Sequence, residues 1–361
     1  MFTTAFRPMI GGSEIALEEM VRHLPDIFFD IVTPRHRRAF LAKECGNNFC
    51  VYRVGFGSSE LIDKLAFPCL GFLKAFRLMF KHKYTAIHAY QASYGGGAAW
   101  LVKTFVPKIK FILTLQEGKG LDKQSWGVRF FRNLIINKAD AITAISGYLA
   151  DFAHKVNPKA KLSVIPNGVD TEKFKPAGNP DKNTLITVSR LVTKNGVGDL
   201  IKAMKKVGDE IPDAKLIIVG DGPLRGKIEL DIKNYGLKEK VVLSGKVSHG
   251  ETPGYLNKAS IFVRPSLSEG LGSAFLEAMA SGLAVIGTPV GGIPDFLKDG
   301  ETGLFCKPGD SDDIADKIIK LLKNDELRNR LADNSRRLVQ EKYTWNKIAA
   351  EFGKIYNNEA I

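Results

Sequence analysis

No apolar run in this chain reaches the length of a bilayer span. The longest stretch that comes near, residues 65–80, is broken by Pro68, Lys74 and Arg77. The N-terminus also lacks a basic segment followed by an apolar core and a small-residue cleavage site, which argues against secretion. Cysteine is scarce. Cys45, Cys50, Cys69 and Cys306 show no CxxC spacing and no matching histidines. The sequence therefore predicts four reduced thiols in a cytoplasmic protein, and no zinc site. There is no zinc-finger or RNP-type pattern, no long low-complexity segment and no short repeat, so nucleic acid is the weakest partner class.

What is present is charge and alternation. The 361 residues carry a formal net charge of +13. Residues 1–175 hold 25 Lys and Arg against 14 Asp and Glu, and residues 176–361 hold 27 against 25. A first half this basic suits a polyphosphorylated substrate or an anionic membrane. Short runs rich in Val, Ile and Leu alternate with longer amphipathic segments. In the first half they predict strands at 28–32, 86–88, 110–115, 141–145 and 162–165. In the second they predict strands at 185–189, 216–219, 241–244, 261–265 and 284–286. Such runs with helical crossovers imply parallel sheets covered on both faces, in two doubly wound α/β domains. At about twice the usual domain length, two domains are also the default.

The boundaries read as 1–170 for the first domain, 171–183 for a polar linker with Pro176, Gly178 and Pro180, and 184–343 for the second. A helical pattern over 344–361 is expected to return to the first domain. The chain opens on MFTTAFRPMIGG, a few residues before a glycine turn and a helix at 13–24. A first domain of this kind normally begins with a full central strand, so either that strand is very short here or the chain is truncated upstream, and the second is the expectation.

The strongest signal is SEGLGSAFLEAMASG, residues 268–282, where Glu269 and Glu277 stand eight residues apart around a glycine-broken helix start. A helix beginning near Ser273 aims backbone N–H groups and the positive end of its dipole beyond the strand at 261–265, which attracts phosphate. The two carboxylates suit neighbouring hydroxyls. In open parallel sheets ligands bind beyond the carboxyl ends of the strands. In the second half those ends carry Arg190 and Lys194, then Gly220, then Val247, then Glu269, Gly270, Leu271 and Gly272. Two cations and close-approaching glycines converge there, as a diphosphate requires. The first half offers its own glycine turn at Gly11 and Gly12.

With PMIGGSE (8–14), VIPNGVDTEKF (164–174), VSRL (188–191), VGDGP (219–223) and SEGLGSAFLEAMASGLAVIGTPVGGIP (268–294) on the page, the chain resembles the retaining family-4 glycosyltransferases nearly end to end. The resemblance implies the GT-B fold, two Rossmann-like domains facing across a cleft, and a nucleotide-sugar donor such as a UDP- or GDP-sugar. It implies that Arg190 and a following lysine bind the donor diphosphate and stabilise the departing nucleotide. Glu277 would hold the ribose hydroxyls and Glu269 the sugar hydroxyls. Backbone near Leu271, Gly272 and Ser273 would meet phosphate and sugar, Val247 would read the base, and Gly11 and Gly12 would close over the diphosphate. Two departures stand out. Gln116 in FILTLQEG (111–118) holds a place where family members commonly carry a histidine, and His88 is either its substitute or a packed histidine. Lys194 also falls four residues after Arg190, where the common spacing puts a lysine at the place of Asn195.

The expected activity is transfer of a hexose, with retention, to a glycan or lipid-linked acceptor in cell-surface polysaccharide or glycolipid synthesis. No cofactor and no metal are expected. The one DxD string, at Asp310, reads as a helix cap. The basic, aromatic-rich segment 64–83 reads equally as a helix lying on the inner face of an anionic membrane and as a core helix with a solvated edge. A nucleotide-sugar epimerase or hydrolase of the same fold, and a catalytically silent nucleotide-sugar-binding relative, remain the alternatives.

Overall fold

The computed structural model describes residues 1–9, 11–116 and 124–357. Ile10 of the first glycine turn, Glu117 and Gly118 of the segment containing Gln116, and residues 358–361 of the expected C-terminal helix lie outside the described residues. The chain divides into two units, Met1–Asn167 with Trp345–Ile361, and Gly168–Thr344.

In the first unit, α1 (Gly12–Arg22) leads into β1 (Phe29–Pro34), and β2 (Lys43–Cys45) pairs antiparallel with β3 (Phe49–Val54). There follow α2 (Glu60–Met79), β4 (Ala86–Tyr90), α3 (Tyr94–Phe105), β5 (Lys110–Leu115), α4 (Trp126–Lys138), β6 (Ala141–Ala144), α5 (Gly147–Val156) and β7 (Lys161–Val164). Strand order is β2-β3-β1 on one side and β4-β5-β6-β7 on the other. Phe2 joins them, bridging in parallel to Val32 and to Ala89. Its N–H donates to His88 O at 2.8 Å and its carbonyl accepts from Tyr90 N at 2.9 Å, while Thr3 N donates to Val32 O at 3.2 Å. Phe2 is 1% exposed, so one residue does the pairing and packing of a central strand. The central place of the sheet is thus filled by residues 1–3.

The expectation of four reduced cysteines is corrected. Cys45 and Cys50 form a disulfide. They face each other in the register of the β2–β3 pair, and that hairpin, not a CxxC motif, brings them together. Cys69 and Cys306 are free. His88 is a packed histidine. It is buried, its Nδ1 lies 2.6 Å from the Tyr356 hydroxyl, and its Nε2 lies 2.6 Å from Thr114 Oγ1. Burial pushes its pKa down to about 3, with the Met1 ammonium adding to the effect.

The second unit runs β8 (Asp181–Val188), α6 (Val197–Glu210), β9 (Lys215–Val219), α7 (Arg225–Asn234), β10 (Val241–Gly245), α8 (Thr252–Leu256), β11 (Ala259–Arg264), α9 (Ser273–Ala280), β12 (Ala284–Gly287), β13 (Leu304–Phe305), α10 (Ser311–Leu322) and α11 (Asp325–Lys342). Its sheet has the order β10-β9-β8-β11-β12-β13, and every pairing in it is parallel. Counted from the first strand of the unit this is 3-2-1-4-5-6, the doubly wound dinucleotide-binding order, whose crevice lies between strands 1 and 4. Here those strands are β8 and β11. Leu216, Ile218, Ile261 and Val263 of the sheet pack with Leu200 and Met204 of α6 and Ile314 and Ile318 of α10. Apolar strands covered by helices are what the unbroken Val/Ile/Leu runs require.

Residues 171–183, expected as a linker, belong to this second unit. Phe174 is buried there, and Asp181 already begins β8. Polar punctuation marked a loop packed on the unit, not a free connection. The last helix, α12 (Trp345–Tyr356), belongs to the first unit, where Trp345, Ile348 and Phe352 pack with Leu17 and Met20 of α1.

His88 gives the first unit a defined acid sensitivity. An unfolded histidine takes up a proton near pH 6.5, whereas the folded one stays neutral to about pH 3. Its contribution to stability is therefore whole above pH 6.5 and lost progressively below it. Between pH 6.5 and 5 the protein should lose about 2 kcal/mol more unfolding free energy than a His88→Gln variant, read by urea titration. Parallel pH profiles would contradict this.

Candidate functional site: the switch point of the second unit

The crevice between β8 and β11 is built from two loops that hold each other. After β8 the chain turns through Arg190 and a short 3-10 helix, Thr193–Asn195. Leu267, in the loop after β11, donates its N–H to Lys194 O at 2.7 Å, which fastens the loops together. Asn195, at the place where family spacing expects a lysine, is buried. Its amide donates to Arg190 O at 2.7 Å, and its carbonyl accepts from Arg264 at 3.2 Å. Lys194 instead extends toward Glu269, its ammonium 3.9 Å from Oε1. Arg190 is exposed at the rim.

Glu269 is 9% exposed and its carboxylate is divided between two cations. Oε2 accepts from Arg264 Nη2 at 2.5 Å, and Oε1 faces Lys194. A charge this buried is tolerated only when paired and hydrogen-bonded. Arg264 was not singled out in the sequence, although an arginine closing the buried strand run IFVRP is a signal that it has a partner. The loop after β12 presses on Glu269 from the other side. Gly291 has φ +56°, and a Cβ there would sit 1.7 Å from Glu269 O, so only glycine fits.

Helix α9 starts directly after this loop. Its N-cap, Gly272, lies in the left-handed region at φ +96°, and no side chain caps the helix. Gly270, Leu271 and Gly272 are buried, and Ser273 is partly exposed at the first turn. Lys194, Glu269 and the α9 start thus share one edge of the sheet. A helix start of this kind and an adjacent ammonium favour an anion.

Glu277, one turn into α9, has a partner that the sequence did not reveal. Its Oε1 lies 2.9 Å from His249 Nε2, and His249 Nδ1 lies 3.0 Å from Lys173 Nζ. An ammonium only donates, so Nδ1 is the accepting nitrogen and Nε2–H donates to Glu277. His249 also lies against the Phe174 ring, with centroids 5.2 Å apart. Val247, two residues before it, is partly exposed just after β10. Nothing in KVSHGE distinguished His249 from an ordinary loop histidine. Gly220 has φ +137°, and a Cβ would meet Ser189 O at 1.8 Å. Its N–H is donated to Gly245 O at 2.8 Å, so Gly220 serves the close approach of two strand ends and that N–H is not offered to a phosphate.

Three expected residues lie in the first unit. Gly11 and Gly12 are exposed at the start of α1. Gln116, just after β5, forms a reciprocal amide pair with Asn167, its Nε2 donating to Oδ1 at 2.9 Å and its Oε1 accepting from Nδ2 at 3.2 Å. Asp310 spends its carboxylate on the Asp312 and Asp313 N–H groups as the N-cap of α10.

Two doubly wound parallel-sheet units, one with cations, glycines and a helix start gathered at its switch point, define the GT-B class of α/β proteins. Two family models cover almost the whole chain: Glycosyltransferase Family 4 over residues 10–173 and Glycosyl transferases group 1 over residues 169–338. An uncharacterized glycosyltransferase of Methanocaldococcus jannaschii is 30% identical over 373 residues, covering 99% of this chain and 97% of that protein. The N-acetyl-alpha-D-glucosaminyl L-malate synthase of Bacillus anthracis is 28% identical over 365 residues, covering 97% of this chain and 94% of its own. Among solved structures, HepE of Anabaena in complex with UDP and glucose superposes with a TM-score of 0.81 at 18% identity, covering 99% of this chain and 98% of that one. The chain belongs to the family-4 glycosyltransferases and has their GT-B fold.

The Arg264–Glu269 pair can be tested directly. Arg264→Leu would leave a buried carboxylate with one ammonium 3.9 Å away, and should lower unfolding free energy by about 3–5 kcal/mol. Arg264→Leu with Glu269→Leu should recover most of that loss. Denaturant melts showing the single variant as stable as the parent would contradict the pairing.

Proposed function

We propose that this glycosyltransferase moves a hexose from a UDP- or GDP-sugar to a glycan or lipid-linked acceptor, with retention at the anomeric carbon. The site is suited to cell-surface polysaccharide or glycolipid synthesis at the inner face of a membrane. The observation that carries this reading is the shared sheet edge at β8 and β11, where Lys194 stands beside Glu269 below the start of α9.

Transfer from a nucleotide sugar needs stabilisation of the leaving diphosphate more than it needs a strong base. Arg190, Lys194 and the α9 N-terminus supply fixed positive potential where negative charge grows on the departing phosphate. Glu277, oriented by His249, takes the ribose hydroxyls. Glu269, held by Arg264, accepts from hydroxyls of the transferred sugar. With Arg264 on Oε2, its carboxylate is fixed as an acceptor for hydroxyls rather than free to attack carbon. The backbone of Leu271, Gly272 and Ser273 lines the phosphate and sugar, and Val247 borders the base. In the first unit, Gly11 and Gly12 serve the diphosphate and Gln116 hydrogen-bonds a hydroxyl without titrating. The two cations and the helix start do the work often given to a divalent ion, so no metal is assigned a step.

Nucleoside diphosphates should raise the melting temperature, by the equivalent of about 2.7 kcal/mol at a hundredfold excess over Kd. Arg190→Ala and Lys194→Ala should each lower the rate of transfer about 100-fold in a protein that melts normally. Glu269→Ala should abolish transfer. The anomeric configuration of the product, read by NMR, should match that of the donor, and turnover should persist in excess chelator. Turnover unchanged in Arg190→Ala, or lost to chelator and restored by manganese, would remove the leaving-group assignment. Nucleotide release or epimer formation without acceptor would favour the epimerase or hydrolase reading.

A further inference from the structure

Resting on the transferase reading above, we infer that the first unit carries a built site for the aliphatic chain of an anionic, lipid-linked acceptor, which makes the acceptor an amphiphile and not a free glycan. The site is a half-open cavity of about 960 Å³ lined mainly by α2, α3 and α4. That volume is at the upper end for small-molecule sites.

The cavity has two ends of different chemistry. Its apolar wall comes from Leu65 and Pro68 of α2, Trp100 and Leu101 of α3, and Phe131 and Leu134 of α4. Its polar end is formed at the carboxyl ends of two adjacent parallel strands, by Gln91 after β4 and Gln116 after β5. Gln91 is held in the left-handed region at φ +76°, an uncommon conformation for a residue with a side chain, and its Nε2 donates to Ser13 Oγ at 3.3 Å. The polar end is therefore tied to the start of α1, next to the Gly11–Gly12 turn. A chain lying along the cavity would put its headgroup among amides and hydroxyls at the strand ends, and its tail among helices.

Charge selects the headgroup. Among the described residues that line the cavity, Arg132 is the one charged side chain, and it is positive. Arg132 is buried, with its guanidinium over the Phe152 ring at 4.5 Å and a hydrogen bond to Gln124 Oε1 at 2.6 Å. The sequence around it is basic throughout: residues 60–140 hold 13 Lys and Arg against 5 Asp and Glu. The rim continues the apolar wall outward. Leu61 and Leu65 on α2 and Trp126 and Phe130 on α4 are all exposed, and the last two rings stack 5.6 Å apart. An ordinary core would have buried these side chains. An aliphatic chain entering between α2 and α4 covers them. A soluble glycan would leave the apolar wall wet and make no use of it.

The test is isothermal titration of the full-length protein with alkyl phosphates of four, eight and twelve carbons, below their micelle concentrations. Affinity should rise about fourfold per methylene while the chain is entering the cavity and level off once it is full. Inorganic phosphate should bind weakly. Leu101→Glu with Leu134→Glu should reduce octyl phosphate affinity at least tenfold, and the separate surface change Val128→Glu at the rim should reduce it in the same direction. The melting-temperature shift caused by UDP or GDP, whichever the parent protein shows, should be unchanged in both. Affinity independent of chain length, or a length dependence untouched by the variants, would overturn the inference. Alkyl phosphate binding without a melting-temperature shift from either UDP or GDP in the parent protein would instead sink the transferase reading and leave the cavity assignment standing.

Discussion

A carboxylate buried to nine-tenths has to be answered by a cation, and the second unit is arranged around that demand at Glu269. Arg264, from the last position of β11, closes on one oxygen, and Lys194, from the turn after β8, faces the other. Asn195 then links Arg264 back to the carbonyl of Arg190, so the two strands on either side of the switch point are joined through side chains as well as through the ladder. The consequence is preorganisation. Under the proposed roles, the carboxylate that takes the sugar and the ammonium that takes the phosphate are already paired before a ligand arrives, which is the condition under which fixed charges lower a barrier most effectively. The Lys173–His249–Glu277 chain repeats the device one turn further along α9, with an imidazole orienting the second carboxylate.

The first unit meets a different constraint. Its sheet needs a central strand, and residues 1–3 supply one through backbone bonds to β1 and β4 and the burial of Phe2. Around that centre the helices are less evenly covered than in the second unit. α2 buries Phe67, Gly71 and Ala75 yet leaves Leu61, Leu65 and Leu73 exposed. A wall of apolar side chains left open beside a polar sheet edge gives this unit its chemical character.

Much of this was legible in the residues. All ten predicted strand segments fall on observed strands, because unbroken aliphatic runs are local signals. The convergence of Lys194, Glu269 and the α9 start was also readable, since the rule about strand ends needs only the order of strands. What stayed hidden depended on register and tertiary neighbours. β2 and β3 were missed, and with them the disulfide, because Cys45 and Cys50 become partners only once the hairpin sets them opposite each other. Arg264 and His249 look like ordinary residues until a carboxylate from another loop is placed beside them. Gly220 read as a glycine for close approach, and the close neighbour the structure shows is the backbone of Ser189. The cavity of the first unit is spread over three helices, and no single helix announces it.

The central claim is that Arg190, Lys194 and the start of α9 recognise a pyrophosphate. Its most direct measure is the ratio of affinities for a nucleoside diphosphate and the matching monophosphate, in the parent protein and in the Arg190→Ala, Lys194→Ala double variant. The account predicts that the parent prefers the diphosphate by tenfold or more, and that the preference collapses toward unity in the variant while the monophosphate binds about as before. A preference that survives the loss of both cations would contradict it.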